Sequence, residues 1–437
     1  MALFGLLIAV SAASAAPAYK PREWIDSKTG HRVVVVSEAP GASSPYFNTP
    51  AFTPQGDKML ISTDAGISSV SLKDWSVRPV VTGKNIRLLF TGNKTRNVYY
   101  IQRPATGTAV RQEGRGGVIY AADIDTGKSR RIADLPAGGI ATINADETLL
   151  AGQVESRPME LQPGTAGRDP RFDQASYAAL GPDGKPLTFA EAKEVRLNER
   201  LEARIPMEIF TIDTRTGERK VLHRATDWLN HLLFSPTDPA LLMFCHEGPW
   251  HKVDRIWTIR TDGTGMTKVH TRTMNMEIAG HEFWSPDGKT IWYDLQTPRG
   301  EVFWVAGFDV DIKRRRYYAV DRNEWSVHFN ISRDQKLFAG DGGDSEMVAH
   351  APDGKWLYLF RPRGIPDVAG IRARNAADLI EPGVFDSEKL VDMSKHDYRL
   401  EPNAHFTPDG KWLVFRSNME GKSGVYAVEI AKSEAAQ

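Results

Sequence analysis

Three of the chain's eleven histidines fall at one recurring position. Imidazole is the side chain best placed to take a proton near neutral pH or to ligate a divalent metal. The position lies three residues before the apolar anchor of a repeated turn. In chain order it holds Thr49, Arg87, Ile140, His231, His281, His328 and Asn403. Side chains two residues apart in a strand share a face, so Glu401 points the same way as Asn403. One histidine at a wet channel position would need no function. Three in register, with Arg87, Glu401 and Asn403 converging on them, make a site the better reading. Such nitrogen and oxygen donors suit Mn2+, Ca2+ or Zn2+. The single cysteine, Cys245, excludes an internal disulfide and a thiolate cluster, and its apolar surroundings (Leu241 to Phe244) read as a buried, inert thiol.

A second group, Cys245-His246-Glu247-Gly248-Pro249-Trp250-His251, lies on the strand that runs back toward His231. It places His246 and Glu247 as candidates to contact substrate at the rim, together with Arg87 and His328. The histidine spacing and the Gly-Pro pair exclude a zinc-protease helix. Strand ends on the same side offer Asp294, Gln296, Asp341 and Arg416. No G-x-S-x-G elbow, phosphate loop or dinucleotide fingerprint is present.

The elements that must position these residues are set by the repeat. Phe234-Ser235-Pro236, Trp284-Ser285-Pro286-Asp287-Gly288-Lys289 and Phe406-Thr407-Pro408-Asp409-Gly410-Lys411 are its clearest copies. Others begin at Phe52, Phe90, Ile143 and Ile331. Pro, Asp and Gly preset a tight reversal, and a β-rich run follows each turn. Most copies are about 40–50 residues apart, the length of a four-stranded blade, and two gaps are longer. The pattern predicts an all-β chain, a seven-bladed β-propeller in one domain over residues 30–434. Insertions at about 153–201 and 348–397 interrupt it, the first ending in a helix-like stretch from Phe189 to Val195. An eighth turn, Ala351 to Lys355, is taken as an outer hairpin of the sixth blade and leaves an eight-bladed count open.

Composition narrows the partners. Lys+Arg and Asp+Glu are both 55, so no basic excess points to nucleic acid. The 11 Trp and 12 Tyr suit blade cores and also sugar stacking. Residues 1–16 form an apolar run ending in small residues, without a basic start. They read as a signal peptide, too short to span a membrane, and predict a periplasmic or secreted protein.

Cys245-His246-Glu247-Gly248-Pro249, Gly280-His281-Glu282-Phe283-Trp284, Gly340-Asp341-Gly342 and Phe406-Thr407-Pro408-Asp409 resemble the oligogalacturonate lyase family, from about residue 30 to the C-terminus. The resemblance implies a seven-bladed propeller that splits short pectic fragments by β-elimination, with a small oligouronide as substrate and no partner protein required. It implies that His281 is a metal ligand, that His231 is the general base, and that Arg204, or an arginine near it, meets the substrate carboxylate. The family's other ligands come from a Gln-x-x-His-x-His segment. Here that segment reads Tyr398-Arg399-Leu400-Glu401-Pro402-Asn403, so Glu401 and Asn403 stand in for histidines, with His396 near enough to compensate. A carboxylate and an amide favour a harder metal, Mn2+ first and Ca2+ as the alternative. Two other readings fit the repeat. One is a non-catalytic TolB-like propeller that docks a protein; the other is a carbohydrate-binding propeller without chemistry. The docking propeller has no reason to place His231, His281 and His328 in register; the carbohydrate-binding one would keep the aromatics and lose metal dependence.

Overall fold

The computed structural model describes residues 21–104, 115–157, 180–368, 370 and 372–433. The expected signal peptide, residues 1–16, lies outside the described residues, as does 158–179 of the first expected insertion. Among the described residues the architecture is all-β, with one α-helix, Phe189–Ala203. No helix among them is long and apolar enough to cross a membrane.

The strands form antiparallel meanders. The first is three-stranded (Lys58–Thr63, Gly66–Ser71, Val77–Thr82) and is extended by a bridge from Phe52 to Met59. Four-stranded meanders follow over 86–137, 139–225 and 228–268. The next two, 278–320 and 329–392, join into one eight-stranded sheet where Arg315–Val320 pairs in parallel with Glu381–Asp392. In the last sheet, His405–Phe406, Trp412–Ser417 and Gly424–Lys432 are completed by the N-terminal strand His31–Ser37. The two ends of the chain therefore hold one sheet together.

Many strands read as unbroken apolar runs, such as Val33 to Val36 and Leu413 to Phe415, all buried. That is the pattern of a sheet covered on both faces. Each sheet packs on the next: Leu359 and Leu390 of one meet Leu413 and Tyr426 of its neighbour in a single cluster.

Every one of the seven turns read from the sequence joins the first two strands of a sheet or meander. Their shared spelling has a local cause. The Ser285 hydroxyl donates to Asp287 at 2.6 Å, and Asp287 accepts the Lys289 amide at 3.1 Å. Thr407, Asp409 and Lys411 repeat this at 2.6 and 3.1 Å. The side chains thus fix the reversal before any tertiary contact forms.

The second expected insertion is corrected. Most of 348–397 is strand, Trp356–Gly364 and Glu381–Asp392, the outer half of its own meander. The turn at Ala351 to Lys355 links the second strand of that meander to the third and begins no further sheet. The stretch expected to be helical extends to Ala203, because Thr188 caps it and Glu191 reaches back to complete a capping box.

Candidate active site

The strands carrying His231 and His281 do not pair evenly. Register slips between Asn230 and Leu233, and again between Gly280 and Phe283. His231 and His281 sit in these bulges, both with φ 47°, and Asn403 has φ 51°. Left-handed backbone costs an L-residue about 1–2 kcal/mol, and His and Asn are among the types that tolerate it. A bulge of this kind re-aims a side chain out of the alternating pattern. His328 reaches the same space without a left-handed turn.

Two of the imidazoles are held from behind. His281 Nδ1 lies 2.9 Å from Asp294, and His328 Nδ1 lies 2.7 Å from Asp341. A carboxylate on Nδ1 fixes the proton there and leaves Nε2 as a lone-pair donor. The two rings meet edge to face at 4.6 Å. Glu401 lies 4.0 Å from His328 Nε2, and the Tyr46 hydroxyl hydrogen-bonds the same nitrogen at 3.2 Å. His231 Nε2 stands 3.6 Å from Glu247, which also accepts the Asn230 amide at 2.6 Å.

Burial and neighbours set the protonation states. Burial lowers the His281 pKa more than Asp294 raises it, so the ring is kept neutral. Burial also opposes a proton on His328, but Asp341 and Glu401 overcome it and the pKa rises. Burial pushes the Glu401 carboxyl up; His328, Arg416 and Lys193 more than reverse this, and it stays ionised. Glu247 is likewise held well below the usual range, against its burial, by His231, Lys193 and Arg255.

A cavity of about 50 Å³ is lined by Tyr46, Lys193, His231, Trp250, His281 and Glu401, among others; His328 and Glu247 contact its lining residues His281 and His231 without lining it themselves. A second cavity, about 370 Å³, draws its lining from all seven turns. The segment Tyr46 to Asn48 separates the two. The Phe47 amide donates to Asn403 Oδ1 at 3.1 Å, Asn330 donates to the Phe47 carbonyl at 2.7 Å, and Asn48 donates to the Glu282 carbonyl at 2.8 Å. Tyr46 lines the small cavity and Phe47, stacked on His328 at 4.7 Å, lines the large one.

Of the expected site residues, His231, His281, His328, Glu401 and Glu247 come together. Five others do not. Asn403 is fully buried and its side-chain oxygen holds the Phe47 amide, so it is not free for a metal. His396 has both ring nitrogens committed, to Ser417 at 2.9 Å and the Leu400 carbonyl at 2.7 Å, and burial lowers its pKa to about 4. Arg204, just past the helix end, is exposed and pairs with Asp227 at 3.2 Å. Arg87 is exposed and lines neither cavity. His246 alternates with Glu247 along its strand and so faces the other way, packed on Trp257 and Phe244.

Three residues at this site carry no repeat signal. Tyr46 precedes the first turn, Lys193 belongs to the inserted helix, and Arg255 lies under the cavity, buried against Glu282 at 2.5 Å. The helix-like stretch was the one clue to Lys193.

Among the described residues, no group of three or more His, Cys, Asp or Glu side chains is placed to hold a metal ion as it stands. The donors that fit a divalent cation are Nε2 of His281, Nε2 of His328 and the Glu401 carboxylate. Two imidazoles with carboxylates behind them and one ionised carboxylate make a chemically suitable set.

The family model for oligogalacturonate lyase matches residues 183–434. An oligogalacturonide lyase of Pectobacterium atrosepticum is 28% identical over 233 residues, covering 52% of this chain and 56% of the relative. An oligogalacturonate lyase of Dickeya dadantii is 27% identical over the same length, with the same coverage. The chain thus spans a little over half the length of the curated relatives it matches. Two solved structures share the fold almost end to end. An oligogalacturonate lyase in complex with manganese is 22% identical, with a TM-score of 0.69, covering 95% of this chain and 97% of that one. An oligogalacturonate lyase from Vibrio parahaemolyticus is 20% identical, with a TM-score of 0.69, covering 96% and 100%. With its model matching more than half of the residues, the chain belongs to the oligogalacturonate lyase family.

Proposed function

We propose that the chain is a metal-assisted lyase that cleaves oligogalacturonides by β-elimination, built as one seven-bladed β-propeller over about residues 30–434. The observation that carries the reading is that His231 and His281 line one cavity with Glu401 while His328 packs edge to face on His281, with His281 backed by Asp294 and His328 by Asp341. The substrate class rests on the relatives, which are named oligogalacturonide and oligogalacturonate lyases. The blade count rests on seven like turns around one cavity and on the shared N- and C-terminal sheet.

The reaction removes the proton at C5, alpha to the uronide carboxylate. The C5–H electrons form the C4–C5 double bond, and the C4–O bond breaks toward the leaving sugar. His231 takes the proton; it is solvent-reachable and its Nε2 lies 3.6 Å from Glu247. His281, His328 and Glu401 would hold the divalent metal, Mn2+ before Ca2+. Bound there, it would supply positive charge to the uronide carboxylate. Asp294 and Asp341 keep the two ligand imidazoles in one tautomer. The run at residues 1–16 supports export to the periplasm or beyond, and the substrate is a small oligouronide with no partner protein needed.

The deciding experiment follows ultraviolet absorbance of the unsaturated product with digalacturonate and Mn2+. A rise that a chelator stops and His231→Ala abolishes is expected. No rise from metal-loaded protein with any uronide would overturn the reading.

A further inference from the structure

A uronide carboxylate needs a cation, and Arg204 is turned away to Asp227. Two other cations line the small cavity. Arg255 is buried and already engaged by Glu282 at 2.5 and 3.4 Å. Lys193 differs. Its Nζ lies 3.9 Å from Glu247, an ion pair without a hydrogen bond, and 5.8 Å over the Trp250 ring. Lys193 lines the same cavity as His231 on the side of the base and as His281 and Glu401 on the side of the metal donors.

The helix that carries Lys193 is fixed at several points. Thr188 and Glu191 close its N-terminus. Glu194 pairs with Arg299, and Asn198 accepts from Lys252 at 2.6 Å. Arg200 pairs with Glu155 at 2.5 Å and lies 4.3 Å over Trp228. Leu197 packs with Trp250 and Ile278. A helix anchored in this way holds its cation in place before substrate arrives, which lowers the ordering cost of binding.

We infer that Lys193 receives the galacturonate carboxylate, and that the inserted helix Phe189–Ala203 is a specificity element of the site. The inference rests on the lyase reading for the identity of the substrate. A carboxylate held between Lys193 and the metal donors leaves the adjacent carbon, C5, on the side of His231. A lysine also discriminates: it gains a charge-assisted bond from a free acid and none from a methyl ester.

The test is calorimetric titration of trigalacturonate into Mn2+-loaded protein carrying His231→Ala, which prevents turnover. Lys193→Met, Lys193→Arg and Arg204→Ala are added in turn. Lys193→Met is expected to weaken binding about 10–100-fold and to abolish the preference for acid over methyl ester. Lys193→Arg is expected to keep both within about fivefold, and Arg204→Ala to change neither. In the His231-containing enzyme, Lys193→Met should raise KM for the acid by a similar factor, and its melting temperature should stay that of the parent. Parent-like affinity in Lys193→Met, with loss in Arg204→Ala, overturns the inference and leaves the lyase reading standing. Lysine-dependent binding with no unsaturated product overturns the lyase reading and leaves the carboxylate role standing. Absence of any binding by the parent overturns both.

Discussion

In the first half of the chain the residues three before each turn are Thr49, Arg87 and Ile140; in the second half they are His231, His281, His328 and Asn403. The backbones are alike up to a point. Register slips between Leu88 and Phe90 and between Ile140 and Thr142, as it does at His231 and His281. Among the described residues, however, the position turns left-handed at His231, His281 and Asn403 and not at its three earlier counterparts. The bulge thus occurs in both halves, and the left-handed conformation at this position only in the second, at His231, His281 and Asn403 but not at His328. The family model follows the same division. It matches 183–434, whereas the fold likeness to the manganese-bound lyase covers 95% of the chain. Buried strands accept many apolar sequences of similar volume. A site that must aim three imidazoles accepts few.

The sharpest way to break this contrast is to exchange one residue in each half. His231→Ala should lower kcat by about 10²–10⁴-fold, the usual contribution of a general base. Arg87→Ala at the matching place should leave it unchanged. Equal losses in steady-state kinetics would mean that the halves share the site.

Acid should also separate them. All but one of the eleven histidines lie beyond residue 200. Burial lowers the pKa of His396 and of His405 to about 4, below the ordinary 6.5. A group with a depressed folded pKa stabilises fully above its unfolded value and loses that contribution as pH falls through the folded one. Stability should therefore decline from about pH 6.5 to pH 4, by on the order of 3 kcal/mol for each histidine. Hydrogen exchange should show strand Trp412–Ser417 opening before Lys58–Thr63. Simultaneous loss of protection would count against this assignment.

The carboxylates behind the imidazoles offer a smaller test. Asp294→Asn should weaken Mn2+ binding about 10–100-fold by freeing the His281 tautomer. Titration of the metal, with Arg204→Ala as the unaffected control, reads this directly. The smallest effect concerns strain. His231→Gly should recover about 1 kcal/mol of left-handed cost, partly offset by the freedom glycine adds to the unfolded chain, while activity disappears. Denaturant unfolding of the inactive variant would report it, and a clear loss of stability would argue that the bulge is not strained.

Much of the fold was legible because it is locally encoded. A Ser or Thr, then Asp two residues on, closes three of the turns through its own hydrogen bonds, at Ser285, Ser332 and Thr407, and the other four keep the apolar anchor and a polar turn, so the seven hairpins could be found in the sequence. The lack of a long apolar run misled in one place. The outer strands of 348–397 are amphipathic and partly exposed, and they looked like an insertion. The site was legible where residues repeat in register, and it failed where a side chain's direction depends on its surroundings. Glu401 and Asn403 share a face by strand alternation, but Asn403 is turned inward by the Phe47 amide at 3.1 Å. His396 is close in sequence to Glu401 but is captured by Ser417 and the Leu400 carbonyl.

The sequence by itself therefore determined the turns, most of the strands and the repeat, because each depends on neighbours a few residues away. The tertiary structure decided which cations and carboxylates meet. Lys193 is brought to the cavity of His231 by a helix packed on Trp250, Tyr46 by the segment that separates the two cavities, and Arg204 is drawn off by Asp227. Those pairings join residues far apart in the chain, through packing and charge that no local pattern records.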